Sequence, residues 1–152
     1  MAIDTGVIGT ELPPSTFVIS RDRLRFFAKA IGETDPVYTD VDAAKQAGYK
    51  DIPTPPTFLF AVELEHPDPF AFLTEIGVDL RFVLHGEQSF SYHDIAYPGD
   101  TLLARPRITD VYSKKGGALE FIVKDTAITR SDGTPVADLR AVTVVQNPGV
   151  SS

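Results

Sequence analysis

Thr57-Phe58-Leu59-Phe60-Ala61-Val62-Glu63-Leu64-Glu65 sets six apolar side chains among nine residues. A helix over 57–65 is therefore apolar on most faces, and such a helix is stable only when protein surrounds it. This is the candidate core helix, and the rest of the chain is read for what could wrap it. Upstream runs a proline-rich loop, Ile52 to Pro56. Prolines cluster there because the start of a helix tolerates a missing N–H.

Further upstream, Ser20 is placed to cap a helix carrying Leu24, Phe27, Ala28 and Ile31 at helical spacing, with Gly32 where a left-handed terminal residue is wanted. Asp40 can cap a second short helix through Ala43, Ala44 and Ala47, closed by Gly48. Thr16 to Ile19 reads as a short strand, and residues 1–14, rich in small residues, Gly and Pro, as a lead-in arm. Downstream, Pro69 to Ile76 is a further helical piece, and from Phe82 the hydrophobic period changes to that of strands. Turn signals at Tyr97-Pro98-Gly99-Asp100, Lys114-Lys115-Gly116-Gly117 and Ser131-Asp132-Gly133-Thr134 divide that half into four strands, about 82–96, 101–113, 118–130 and 135–146. The tail 147–152 reads as frayed. Helices first and an antiparallel meander afterwards give an α+β fold in one domain over 1–152.

On the first long strand, period-two alternation puts Phe82, Leu84, Gly86, Gln88, Phe90 and Tyr92 on the face toward the core helix. His85 and Glu87 then share the opposite face as a possible acid–base couple, with a polar outward pair as the alternative. Gly86 breaks the apolar row, and a missing side chain in a strand marks the close approach of a helix, another backbone or a ligand.

Composition excludes several functions. A net charge of −7 over 152 residues repels nucleic acid and anionic membrane surfaces. Zero cysteines remove disulfide and thiolate chemistry, and the absence of an export-like N-terminus points to a cytoplasmic location. No apolar stretch approaches the roughly 20 residues that span a bilayer. His66 and His93 have no ligand spacing with His85 or with acidic residues, so neither a metal nor another cofactor is expected.

The segment Phe27-Ala28-Lys29-Ala30-Ile31-Gly32-Glu33-Thr34-Asp35-Pro36-Val37-Tyr38 resembles the motif of MaoC-like dehydratases and R-specific enoyl-CoA hydratases. In that motif an aromatic and small residues precede Gly-Asp-x-Asn-Pro-aliphatic-His. Tyr49 to Phe58, His85-Gly86-Glu87-Gln88 and Tyr97-Pro98-Gly99-Asp100 are similar to the N-terminal dehydratase-type subfamily, so the resemblance covers nearly the whole chain. It implies the hotdog fold, a central helix wrapped by a curved antiparallel sheet. It also implies pairing of two such units, as a homodimer or with another hotdog subunit, and an acyl-CoA or acyl-carrier-protein (acyl-ACP) thioester held at their junction.

The resemblance further implies that an Asp and a His share the protons of water addition to a 2-enoyl thioester. This chain has Glu33 and Tyr38 there, with Asp35 in place of the motif Asn. Glu33 keeps a carboxylate about 1.5 Å further out, and a misplacement near 1 Å can cost on the order of a hundredfold in rate. Tyr38 can donate a proton or hydrogen bond but is a poor base at neutral pH. Asp35 either couples electrostatically to Glu33 as a usable acid or stabilises the turn before Pro36. The family's thioester oxyanion falls near the start of the core helix. Pro55 and Pro56 have no N–H, which leaves Thr57, Phe58 and Thr54 as donors, with His85 and Gly86 on the neighbouring strand. Two readings follow: a hydratase or dehydratase working through Glu33, Tyr38 and Asp35, or a non-catalytic acyl-binding subunit whose partner carries the intact Asp and His. A thioesterase of the same fold is a third.

Overall fold

The computed structural model describes residues 2–150. Five strands form one antiparallel sheet in the order β1-β3-β4-β5-β2: β1 (Ser15–Val18), β2 (Val83–Tyr92), β3 (Thr101–Lys114), β4 (Leu119–Arg130) and β5 (Pro135–Gln146). Four short helices accompany it: α1 (Arg21–Ala30), α2 (Val41–Gln46), α3 (Phe60–Glu63) and α4 (Ala71–Glu75). The sheet curls around the segment 56–63, so the expected helix in a wrapped sheet is present.

That central helix is shorter than the spacing predicts. Residues Pro56–Leu59 wind as a 3₁₀ turn and only Phe60–Glu63 is α-helical. Pro55 and Pro56 stand at its N-cap and first position, where a missing N–H removes no bond within the helix. One side faces the core: Phe58, Leu59 and Val62 are buried, and Phe58 meets the rings of Phe17 and Phe27 edge-on at 5.5 and 5.3 Å. Leu64 and Thr57 are exposed, so within this chain the helix is covered on one side rather than all round.

Polar contacts fix the last turn of α3 to the sheet. Glu63 accepts from Lys124 Nζ at 2.8 Å and from the Thr126 hydroxyl, both on β4, with the Glu63 and Lys124 side chains only 9% and 15% exposed. Ser15 Oγ on β1 donates to Val62 O at 2.9 Å. A pair this buried holds one geometry, because losing either partner strands a charge in the interior.

α1 starts and ends as its sequence predicts. Ser20 Oγ accepts the Arg23 N–H, and Gly32, at φ 72°, lets the chain reverse so that Glu33 N–H returns to Ala28 O at 2.9 Å. Ile31 departs from the reading and is 53% exposed.

β2 carries the main correction. Its pairing with β5 slips between His85 and Glu87, whose partners Thr143 and Val142 are consecutive and so point to opposite faces. Val83 and Phe90 pack on the core from either side of the slip, which makes Val83, His85, Gln88, Phe90 and Tyr92 the inner row. Leu84, 51% exposed, is not in it. The His85–Glu87 pair therefore does not form. Gly86 accommodates β5 rather than a helix or ligand: a Cβ there would lie 2.8 Å from Val144 Cγ2 and 3.0 Å from Val142 O.

The arm is anchored at several points. Ile3 is buried and donates its N–H to Glu120 at 2.6 Å, and Glu11 bridges to Arg107. At the other end Asn147 donates to Gly117 O and Glu120, so the predicted frayed tail is tied down at its first residue, while Ser151 and Ser152 lie outside the described residues. Between β2 and β3, Arg130 holds the loop through Asp94 at 2.7 Å, Ile95 O at 2.7 Å and Asp100 at 3.1 Å.

Two predictions follow from this architecture. Gly86→Ala should cost about 1–3 kcal/mol by overpacking against β5, read from urea unfolding midpoints. Arg130→Gln should lower the melting temperature by roughly 2–6 °C at neutral pH. The hydrogen bond from Arg130 holds the Asp94 carboxyl below its ordinary 3.8. The stability Asp94 contributes is thus present above that value and lost as pH falls through the folded one, so the gap between variant and wild type should narrow in melts run from pH 7 down to pH about 3.

Candidate active site

The turn after α1 brings Glu33, Asp35 and Tyr38 together. The Glu33 carboxylate accepts the Asp35 N–H at 2.9 Å. Asp35 in turn accepts the Val37 N–H at 3.1 Å and so caps the 3₁₀ turn Pro36–Tyr38. Its carboxylate is engaged in the local backbone, the turn-stabilising option raised by the sequence. Partial burial pushes the Tyr38 phenol above its ordinary 10, and Tyr49, Glu33 and Asp35 add in the same direction. Near neutral pH Tyr38 is therefore a protonated donor.

Tyr38 lines a cavity of about 350 Å³ together with Tyr49, Thr54, Pro55, Leu59, Tyr92, His93 and Ile95. The size and the mostly apolar lining, with a few phenols and a hydroxyl, suit a small organic group. Three connections shape it. Thr54 donates both its N–H (3.0 Å) and its hydroxyl (2.6 Å) to Ala96 O, joining the proline loop to the β2–β3 loop. Tyr92 reaches from β2 to donate its hydroxyl to Pro56 O at 2.6 Å, its ring stacked on Phe90 at 5.8 Å. Burial raises the Tyr92 phenol as well. At the rim, His93 Nε2 lies 2.7 Å from Asp138 Oδ2.

Of the residues singled out from the sequence, Tyr38 and Thr54 line this cavity. Glu33 and Asp35 stand close enough to act on the Tyr38 phenol. Thr57, Phe58, His85 and Gly86 are outside the lining, and His85 instead meets the Phe60 ring edge-on at 6.3 Å. The Phe58 N–H donates to Pro55 O at 3.0 Å, so it is not a spare oxyanion donor, whereas the Thr57 N–H makes no hydrogen bond among the described residues. The sequence reading missed Tyr49, His93 and Ile95. His93 and Asp138 are 45 positions apart and meet only because β2 pairs with β5. Tyr92, last in the inner row of β2, was the one cavity residue outside the motif segments that strand alternation could have flagged. No group of three or more His, Asp or Glu among the described residues is placed to hold a metal ion, and none of their helices is long and apolar enough to cross a membrane.

Comparison with known proteins agrees with this architecture. The family described as "FAS1-like, dehydratase domain region" matches residues 6–139. The UPF0336 protein of Saccharopolyspora erythraea is 32% identical over 147 residues, covering 96% of this chain and 93% of that relative. Among solved structures, the HadBC (3R-hydroxyacyl-ACP dehydratase) complex of Mycobacterium tuberculosis is 25% identical and superposes with a TM-score of 0.76 over 91% of this chain and 96% of that one. A MaoC-like dehydratase, 22% identical, reaches a TM-score of 0.80 over 94% of this chain and 43% of its own length. With the sheet order, the curl around α3 and a family match that runs through both the helical and the stranded half, the chain belongs to the FAS1-like dehydratase family and has the hotdog fold.

Proposed function

We propose that this chain is an acyl-thioester-binding subunit of a (3R)-hydroxyacyl-thioester dehydratase, completed by a second hotdog chain that supplies the acid–base pair. The observation that carries it is the state of Glu33, Asp35 and Tyr38. One carboxylate accepts a backbone amide, one caps a turn, neither lines the cavity, and the phenol that does line it is kept protonated, so the motif segment presents the cavity with a donor and no carboxylate beside it. The cavity beside Tyr38 takes the acyl end of a CoA- or carrier-protein-borne thioester. The open edge of β2 supports a hotdog partner: ten residues run along it with Leu84 and Tyr92 about half exposed, and an unpaired edge of that length invites another strand. The HadBC protein, whose fold this chain shares, is itself a complex.

A second reading, in which the chain hydrates enoyl thioesters itself, is favoured by the closeness of Glu33 to Tyr38, which keeps a carboxylate and a proton donor in one turn.

The two readings separate in the enone absorbance of enoyl-CoA substrates. On the first, the purified chain leaves the band unchanged. Co-expression with a hotdog chain bearing the Asp and His yields a stable heteromer that adds water at least about a hundredfold faster than this chain alone. A homodimer that ignores every such partner would overturn it. On the second, the chain bleaches the band by itself and Glu33→Gln abolishes the change; flat traces from folded protein would defeat that version.

A further inference from the structure

The cavity beside Tyr38 does not end at its rim. It shares His93 and Asp94 with a shallow groove that continues over Ala127 and past Thr129 and Asp138. That groove shares Ala127 and Asp138 with a depression on the outer face of the sheet, walled by Arg105, Arg107 and Arg140 and by Ser89 and Ser91. The register explains the continuity. Arg105 pairs with Ala127 and Ala127 with Asp138, so a methyl group lies between the polar side chains of Arg105 and Asp138 and leaves a trough across three strands.

The charges along this trough are sorted. Asp125 is held by Nε and Nη2 of Arg140 at 2.7 Å and Asp94 by Arg130 at 2.7 Å, and Asp138 Oδ2 lies 2.7 Å from His93 Nε2. Asp110 adds its field to Arg140. Arg107 donates Nε to Gly9 O at 3.2 Å and has Glu11 as its bridge partner, without an ion pair. Arg105 has only the Thr129 hydroxyl, at 3.5 Å. In a chain of net charge −7, it is a guanidinium with no carboxylate partner among the described residues, at the far end of a groove that begins in the cavity.

We infer that Arg105, backed by Arg107, is the phosphate subsite for a phosphopantetheine-borne thioester whose arm lies in this groove. The inference rests on the reading that the cavity holds the acyl end. The dimensions agree. Asp138 to Arg105 is two strand spacings, about 10 Å. About a dozen bonds separate a thioester sulfur from its pantetheine phosphate, on the order of 15 Å when extended, enough to enter the cavity and still reach the guanidinium. A forked guanidinium facing a phosphate forms charge-assisted hydrogen bonds, and the contacts of Arg105 and Arg107 among the described residues are to a hydroxyl and a backbone carbonyl rather than to a carboxylate that would compete for it. CoA and a carrier protein both present this phosphate.

Titration calorimetry on the full chain tests it with octanoyl-4′-phosphopantetheine and octanoyl-pantetheine, which differ only in the phosphate. The wild-type chain should prefer the phosphorylated probe by about tenfold, as for one charge-assisted contact, and raised salt should erode that preference. Arg105→Gln should erase the preference and leave the unphosphorylated probe unaffected. Ala127→Glu, which sets a carboxylate in the trough with Arg105 intact, should weaken both probes, the phosphorylated one more, and so also remove the preference. Unchanged melting temperatures would certify both variants as folded. Retention of the preference in both would overturn the subsite while leaving the cavity reading intact. Failure of the wild-type chain to bind octanoyl-pantetheine at all would overturn the cavity reading, and the subsite with it. Parallel titrations with octanoyl-CoA and an octanoyl carrier protein assign the phosphate's source: an Arg105→Gln loss seen with one and not the other identifies it.

Discussion

The attachment of α3 to the sheet is the constraint on which the site depends. A 3₁₀ turn followed by only four α-helical residues is too short to be held by its own hydrogen bonds alone. It is held from outside instead. Phe58, Leu59 and Val62 pack into the core, Ser15 ties Val62, and the Glu63–Lys124–Thr126 cluster fixes the far end to β4. Nonpolar packing alone would let so short a helix rotate or slide. A buried ion pair has one acceptable geometry, and it sets the rotation of α3 and with it the positions of Leu59 and the Pro55–Pro56 wall of the cavity.

From that fixed helix the cavity is assembled by hydrogen bonds between loops. Tyr92 joins β2 to the helix start, Thr54 joins the proline loop to Ala96, and Arg130 gathers Asp94, Ile95 and Asp100. Each link ends on a backbone carbonyl or a carboxylate, so the wall is fixed by polar contacts between loops rather than by apolar packing alone.

What was legible in the sequence is what local chemistry decides. Ser20 and Asp40 capped helices because their oxygens reach amides two or three residues on, and the strand boundaries at Gly99, Gly116–Gly117 and Gly133 followed from residues able to take positive φ. Long-range consequences were not legible. Alternation along β2 gives two faces, but only pairing with β5 reveals the slip at Gly86 that exchanges them for residues 83–85, and with it the separation of His85 from Glu87. The apolar run at 57–65 fitted a helix, yet only Phe60–Glu63 of it is α-helical, a division that no local pattern in the run marks. The motif segment placed Tyr38 on the cavity, whereas Tyr49 and His93 arrive from elements whose docking no local pattern encodes.

The motif segment can be accounted for by its structural role alone. The reversal at Gly32, the Glu33–Asp35 amide contact and the Asp35 cap before Pro36 build a rigid turn whose product is the placement of Tyr38 on the cavity wall. Those interactions require a carboxylate at 33 and an Asx-type acceptor at 35, but they do not require either group to exchange protons. A Glu satisfies the first as well as a shorter acid, and an Asp satisfies the second as well as an Asn. At position 38 the wall needs a flat group with one polar end, which a phenol fills without the basicity of an imidazole. The geometry of the turn and its spacing is therefore explained by cavity shape, whichever protons the groups at 33, 35 and 38 exchange.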